Sequence, residues 1–176
     1  EVINSDRYSM SSKVFRFEQE FAEYFGAEDA VMVNSGSTAN LMMLSLLKWK
    51  YWLDKKEDAN IIVPCVGWST TFFPVSQNGF ILNFVDVDPE TYNIDVNKIE
   101  AAIDSGTVAI MPVNLCGNPC NFTVLNAICA KHDLMLIEDN CESMGARFGD
   151  KYTGNIGHLG SHSFFFSHHI QTMEGG

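Results

Sequence analysis

Three short runs in this chain are apolar almost without interruption: Asn60-Ile-Ile-Val-Pro-Cys65, Thr107-Val-Ala-Ile-Met-Pro-Val113 and Leu134-Met-Leu-Ile-Glu-Asp139. A strand with one face in water alternates apolar and polar residues. A strand that is apolar throughout must be covered on both faces, which points to a parallel sheet sandwiched between helices. The segments between these runs supply the helices. Residues 13–25 place Val14, Phe17, Phe21, Tyr24 and Phe25 at helical spacing and stop at Gly26, a helix terminator. Helical patterns also cover residues 37–52, 70–78, 96–102 and 124–132, the last ending before Asp133. Further strand-like runs lie at 30–33, 80–88 and 162–167. The expected fold class is α/β, with a mostly parallel sheet and helices on both faces. In such sheets ligands bind beyond the carboxyl ends of the strands.

Composition narrows the function. The 176 residues carry 22 acidic and 11 basic side chains, a formal charge of -11. That surface repels phosphate backbones and disfavours nucleic acid. No uninterrupted apolar stretch reaches the ~18 residues of a membrane span. The amino end, Glu1-Val-Ile-Asn-Ser5, lacks a basic-then-apolar signal pattern. It also lacks Met, and the other end stops on Gly175-Gly176. Residues 1–176 therefore read as part of a longer chain. Cys65, Cys116, Cys120, Cys129 and Cys141 are odd in number and match no zinc spacing. Reduced thiols in a cytoplasmic protein are the expectation.

Several residues carry chemistry. Asn34-Ser-Gly-Ser-Thr38 joins a strand to a helix start, where free amides and the positive helix end suit a phosphate. The same residues also suit a simple helix cap. Trp68 follows a strand end and either stacks on a flat heteroaromatic ring or belongs to the core. Asp139 ends an apolar strand and needs a hydrogen-bonded or cationic partner. A protonated pyridine nitrogen would serve, as would a structural salt bridge or a cap. Glu138 points the other way by alternation. Glu142, one helical turn on, is placed to face the same pocket as Asp139. His168 and His169 are adjacent, so their side chains diverge and only one can act on a given atom. Histidine is a natural general base near neutral pH. No acidic partner stands at ligand spacing from these histidines or from His158 and His162, so no metal is expected.

The order of these motifs, ending in Ser163-Phe-Phe-Phe-Ser-His-His-Ile-Gln-Thr-Met-Glu-Gly-Gly176, resembles the DegT/DnrJ/EryC1/StrS family of sugar aminotransferases. The resemblance covers essentially the whole chain. It implies the large domain of a pyridoxal-phosphate transferase, aspartate aminotransferase-like (fold type I), with a seven-stranded sheet and a small domain outside residues 1–176. It also implies that Gly36, Ser37 and Ser163 hold the cofactor phosphate, Trp68 stacks on the ring and Asp139 binds the ring nitrogen. In the family a lysine stands between Ser-Phe and Glu-Gly-Gly. Here His168 takes its place, and histidine cannot hold the cofactor covalently. That substitution resembles a lysine-less branch of sugar 3-dehydratases. The branch uses pyridoxamine 5'-phosphate (interconverting with pyridoxal 5'-phosphate), L-glutamate as amino donor and a nucleotide-sugar substrate, with His168 as base. GDP-4-keto-6-deoxy-D-mannose is the implied substrate, in O-antigen deoxysugar synthesis, and a homodimer the implied assembly. A CDP-sugar dehydratase with an iron–sulfur cluster is the alternative within the branch; Cys141 falls at one of its ligand positions. An aminotransferase with a displaced lysine is the other, but no lysine lies between Lys151 and Gly176. A non-catalytic relative would not be expected to keep all these motifs in place.

Overall fold

The computed structural model describes residues 2–52 and 58–176; Glu1 of the amino end lies outside them. Helix α1 (Ser12–Phe25) closes on Gly26, whose φ of 72° is left-handed and free of steric cost for glycine. Then follow α2 (Gly36–Trp52), β1 (Asn60–Pro64), α3 (Ser69–Gln77), β2 (Ile81–Val85), α4 (Val96–Ala102), β3 (Thr107–Ile110) and α5 (Phe122–His132). The chain continues through β4 (Met135–Asp139), β5 (Arg147–Phe148), β6 (Lys151–Tyr152) and β7 (Leu159–Ser161). Asp133 ends α5 in the left-handed region at φ 53°.

The central sheet runs β2-β1-β3-β4-β7, every neighbouring pair parallel. The expected parallel sheet is present, with five of the seven strands that the family resemblance implies. Its two faces bury separate cores, as continuous apolar strands require. Ile61, Val63, Ala109 and Ile137 pack with Leu44 and Leu47 of α2 and Val75 of α3. Ile62, Ile110 and Leu136 pack with Ile99 of α4 and Phe122, Leu125 and Ile128 of α5. No helix among the described residues is long and apolar enough to cross a membrane.

Two expected strands differ. Residues 30–33 form no regular strand, although Val33 exchanges two backbone hydrogen bonds with Gly176, at 2.8 and 3.1 Å. The strand expected at 162–167 lies earlier, at Leu159–Ser161. The reason is steric. Gly160, paired with Glu138 of β4, runs against the Gly154 carbonyl, where any Cβ would collide, so this strand position admits only glycine. The aromatic run instead splits: Phe164 is buried, whereas Phe165 and Phe166 are exposed. Phe164 meets Phe17 and Phe21 of α1 edge-on, at centroid distances of 5.6 and 6.0 Å. Helix α1 thereby fixes the segment that carries Ser163. The β5–β6 hairpin, two residues a strand, is too short for any periodicity to announce.

Candidate functional site

The sheet order reverses between β1 and β3, so the chain turns away on opposite sides beyond their carboxyl ends. A crevice opens there, as the topology dictates. It is a cleft of about 200 Å³. Residues after β1 (Trp68, Thr71), β4 (Asp139, Glu142) and β7 (Ser163, His168) line it, with Gly36 and Ser37 at the start of α2. Gly36, Ser37, Trp68, Asp139, Glu142, Ser163 and His168, all singled out in the sequence, meet in this one cleft.

The α2 end is both a cap and an anion site. Ser35 Oγ accepts from the Thr38 amide at 3.2 Å, which satisfies one first-turn donor. The amides of Gly36 and Ser37 belong to the same turn, where no intrahelical acceptor exists. Gly36 cannot be enlarged: a Cβ there would fall 2.7 Å from both Cys141 Sγ and Ser163 Cβ. Ser163 Oγ accepts the Phe165 amide at 3.3 Å and keeps its own proton to donate.

Asp139 is buried, yet its carboxylate is well served. Oδ2 accepts from Asn40 Nδ2 at 2.9 Å and from Thr71 Oγ1 at 2.7 Å, Oδ1 accepts the Cys141 amide at 3.2 Å, and the Cys141 thiol also meets the carboxylate. Glu138 projects to the opposite side, as alternation requires. It accepts the amides of Gly154, Ile156 and Gly157 at 2.6–2.7 Å, and Asn114 Nδ2 at 3.2 Å. Burial pushes its carboxyl up, against the pull of those donors. Glu142 lines the cleft from a turn that follows β4. The Cys116 amide reaches its Oε2 at 3.3 Å.

Trp68 is 68% exposed and lines the cleft, so its indole is open to a ligand and is not a core residue. His168 lies in a loop seven residues beyond the end of β7, not at a strand end as the sequence suggested. Its amide donates to the Phe165 carbonyl at 3.0 Å, and a Thr172–Phe164 hydrogen bond at 3.0 Å closes the loop's neck. His168 is half-buried at the cleft; His169 is exposed and does not line it. Among the described residues, no Lys or Arg lines the cleft.

Burial, with Asp139 beside it, pushes the Cys141 thiol well up, so it stays protonated. Burial also pushes Cys120 and Cys129 up to about 12. All five cysteines are free. His162 sits between Phe21 and Phe25, at 5.1 and 5.0 Å, and burial lowers it to about 4.

The arrangement offers hydroxyls and helix amides for an anion at one end of the cleft, a carboxylate deeper in and an aromatic face at the mouth. The sequence matches the DegT/DnrJ/EryC1/StrS aminotransferase family over residues 1–176. The chain belongs to this family. Among its relatives is a GDP-4-keto-6-deoxy-D-mannose 3-dehydratase of Yersinia pseudotuberculosis, 49% identical over 175 residues, 99% of this chain and 44% of that protein. An E. coli GDP-4-keto-6-deoxy-D-mannose-3-dehydratase with bound hydrated PLP superposes with a TM-score of 0.89 at 46% identity, over 99% of this chain and 45% of that one. A GDP-4-keto-6-deoxymannose-3-dehydratase with a trapped PLP–glutamate geminal diamine gives 0.93 at 47% identity, over 99% and 45%. The chain thus spans less than half the length of the relatives it matches. These likenesses give it the aminotransferase-type α/β fold of the family.

Sequence reasoning missed Asn40 and Thr71. One signal was available for Asn40: it is an amide in the otherwise apolar stretch Ala39-Asn-Leu-Met-Met-Leu44 of a buried helix. Thr71 gave none, since threonine is ordinary at a helix start.

Proposed function

We propose that this protein binds pyridoxamine or pyridoxal 5'-phosphate non-covalently and removes the 3-hydroxyl of a nucleotide-linked 4-keto-6-deoxy sugar. GDP-4-keto-6-deoxy-D-mannose is the substrate, with L-glutamate as amino donor, in deoxysugar and lipopolysaccharide O-antigen synthesis. One observation carries the reading: among the described residues, the cleft that holds Asp139 is lined by His168 and by no lysine. The similar dehydratases with bound PLP and trapped glutamate support it.

The residues fit the cofactor. The cradle at Gly36, which a Cβ would fill, and the Ser163 hydroxyl suit the phosphate. The exposed Trp68 indole suits the ring face. Asp139 keeps Oδ1 capacity for a ring N–H⁺, and Glu142 closes the same wall. When bound, pyridoxamine phosphate supplies an amine able to condense with the sugar ketone and a protonated ring that accepts electrons. Asp139 holds the proton on the ring nitrogen. His168, with no positive charge beside it in the cleft, acts as general base at the cofactor's C4′ carbon. We also assign the protein to a cytoplasmic homodimer.

The test uses the holoprotein with GDP-4-keto-6-deoxy-D-mannose and glutamate. Ammonia release without an amino sugar is expected, and borohydride followed by mass analysis should leave every residue unmodified. An amino sugar product, or a phosphopyridoxyl adduct on the protein, refutes the proposal.

A further inference from the structure

The geometry points to Asn40 and Thr71 as positioning residues that fix Asp139 in its ionised form and reserve one of its oxygens for a cationic ligand. The inference rests on the reading that a protonated ring nitrogen meets Asp139. The two residues come from different helices, α2 and α3, and converge on a single atom, Asp139 Oδ2, at 2.9 and 2.7 Å. Both are 1% exposed, so neither bond is shared with solvent. Thr71 has one hydroxyl proton, and it is spent here. The Asn40 amide spends its other hydrogen on the Thr70 carbonyl at 3.2 Å.

The orientation of Asn40 has a cost that identifies its purpose. Its Oδ1 is the one buried side-chain polar atom without a hydrogen-bond partner among the described residues. A buried acceptor left unpaired is unfavourable. Turning the amide over would be worse, because Oδ1 would then face two acceptors, Asp139 Oδ2 and the Thr70 carbonyl. The amide is therefore held in place by the carboxylate's charge. With two donors aimed at it, Oδ2 cannot carry a proton without losing one of them. Oδ1 faces no such pair of side-chain donors from α2 and α3: it accepts the Cys141 amide, at 3.2 Å, with the Cys141 thiol beside the carboxylate, and is the oxygen left to offer.

The neighbours leave that charge unbalanced. Cys141 and His162, which feel the Asp139 carboxylate, are both neutral at physiological pH. Glu142 and His168 line the same cleft, Glu138 lies on the opposite strand face, and the lining has no Lys or Arg among the described residues. The partners Asp139 has are hydrogen-bond donors, with no cationic side chain among the described residues that line the cleft. A ligand cation gains the whole pairing, which an existing salt bridge would have consumed.

The test is the ring-nitrogen ¹⁵N chemical shift of labelled pyridoxal phosphate bound to the parent, Thr71→Val, Thr71→Ser and Asn40→Leu proteins, followed from neutral into alkaline pH. In the parent the nitrogen should be protonated. Thr71→Val and Asn40→Leu should each release that proton at lower pH and lower kcat on the order of ten-fold, with KM little changed. Thr71→Ser, which keeps the hydroxyl, should restore both. If Asn40→Leu does not fold, the Thr71→Val and Thr71→Ser pair decides alone. A parent that binds the cofactor protonated, with Thr71→Val giving the same shift and turnover, overturns this inference and leaves the proposed function standing. A parent that binds no cofactor overturns both.

Discussion

His168 and His169 are one residue apart, but only His168 lines the cleft. A general base contributes ~10²–10⁴-fold to a rate. His168→Asn should therefore lower ammonia release by that order, and His169→Asn should leave most of it. Equal losses in single-turnover assays of the two variants would contradict the assignment. Gly36 is the second decisive residue. Gly36→Ala puts a methyl 2.7 Å from Cys141 Sγ and Ser163 Cβ, so the start of α2 must shift away from Ser163. Cofactor affinity, followed by absorbance titration, should fall at least ten-fold if the amides and Ser163 share one phosphate. Unchanged affinity would separate the two halves of the phosphate site.

Helix α1 lends nothing to the cleft lining, yet it holds the final segment in place. Phe164 is 4% exposed against Phe17 and Phe21. Truncating a buried phenylalanine costs ~3–5 kcal/mol. Phe164→Ala should lower the urea midpoint accordingly and also weaken cofactor binding, because Ser163 precedes it. A stability loss with affinity intact would show that Ser163 is held by other contacts. The loop 153–157 is tied down in the same indirect way, through the Glu138 carboxylate and its three backbone donors. Glu138→Gln turns one acceptor into a donor facing N–H groups, at a cost of ~1–3 kcal/mol. Hydrogen exchange at Gly154, Ile156 and Gly157 should speed up well beyond exchange in β1. Equal protection in parent and variant would remove the carboxylate from that role.

Across the whole molecule, acid stability is tied to a buried histidine. Burial lowers His162 to about 4 in the fold, whereas an unfolded histidine titrates near ~6.5. The folded state holds the ring neutral. Its contribution is complete above pH ~6.5 and is lost as the pH falls toward 4, because the unfolded chain binds the proton first. Urea midpoints measured from pH 7 down to 4 should fall more steeply for the parent than for His162→Gln. Parallel curves would show that His162 is not the group responsible. The same ring packs on α1 and donates nothing to the cleft lining, so activity and acid stability should separate in this variant.

Much of this protein was legible in order and pattern alone. Continuous apolar runs fixed a sheet covered on both faces, because an alternating strand and a fully buried strand differ in composition at every position. Gly26 and Asp133 marked their helix ends, and the Ser-Gly-Ser, Asp139 and Ser163 motifs fell at the carboxyl side of the sheet as that topology demands. The sequence also showed the missing lysine, which is a fact of covalent chemistry and needs no coordinates. What it did not show depended on contacts between distant segments. Strand β7 forms at Leu-Gly-Ser, paired with the end of β4, where the Gly154 carbonyl leaves room only for glycine at position 160. The Phe run, with higher strand propensity, is pulled apart by α1, which buries one ring and leaves two in solvent. Asn40 and Thr71 became partners of Asp139 only through the packing of α2 and α3 beside β4. Hydrogen bonds between residues 99 and 68 positions apart leave no periodic trace in a chain, and only the tertiary structure brings their atoms together.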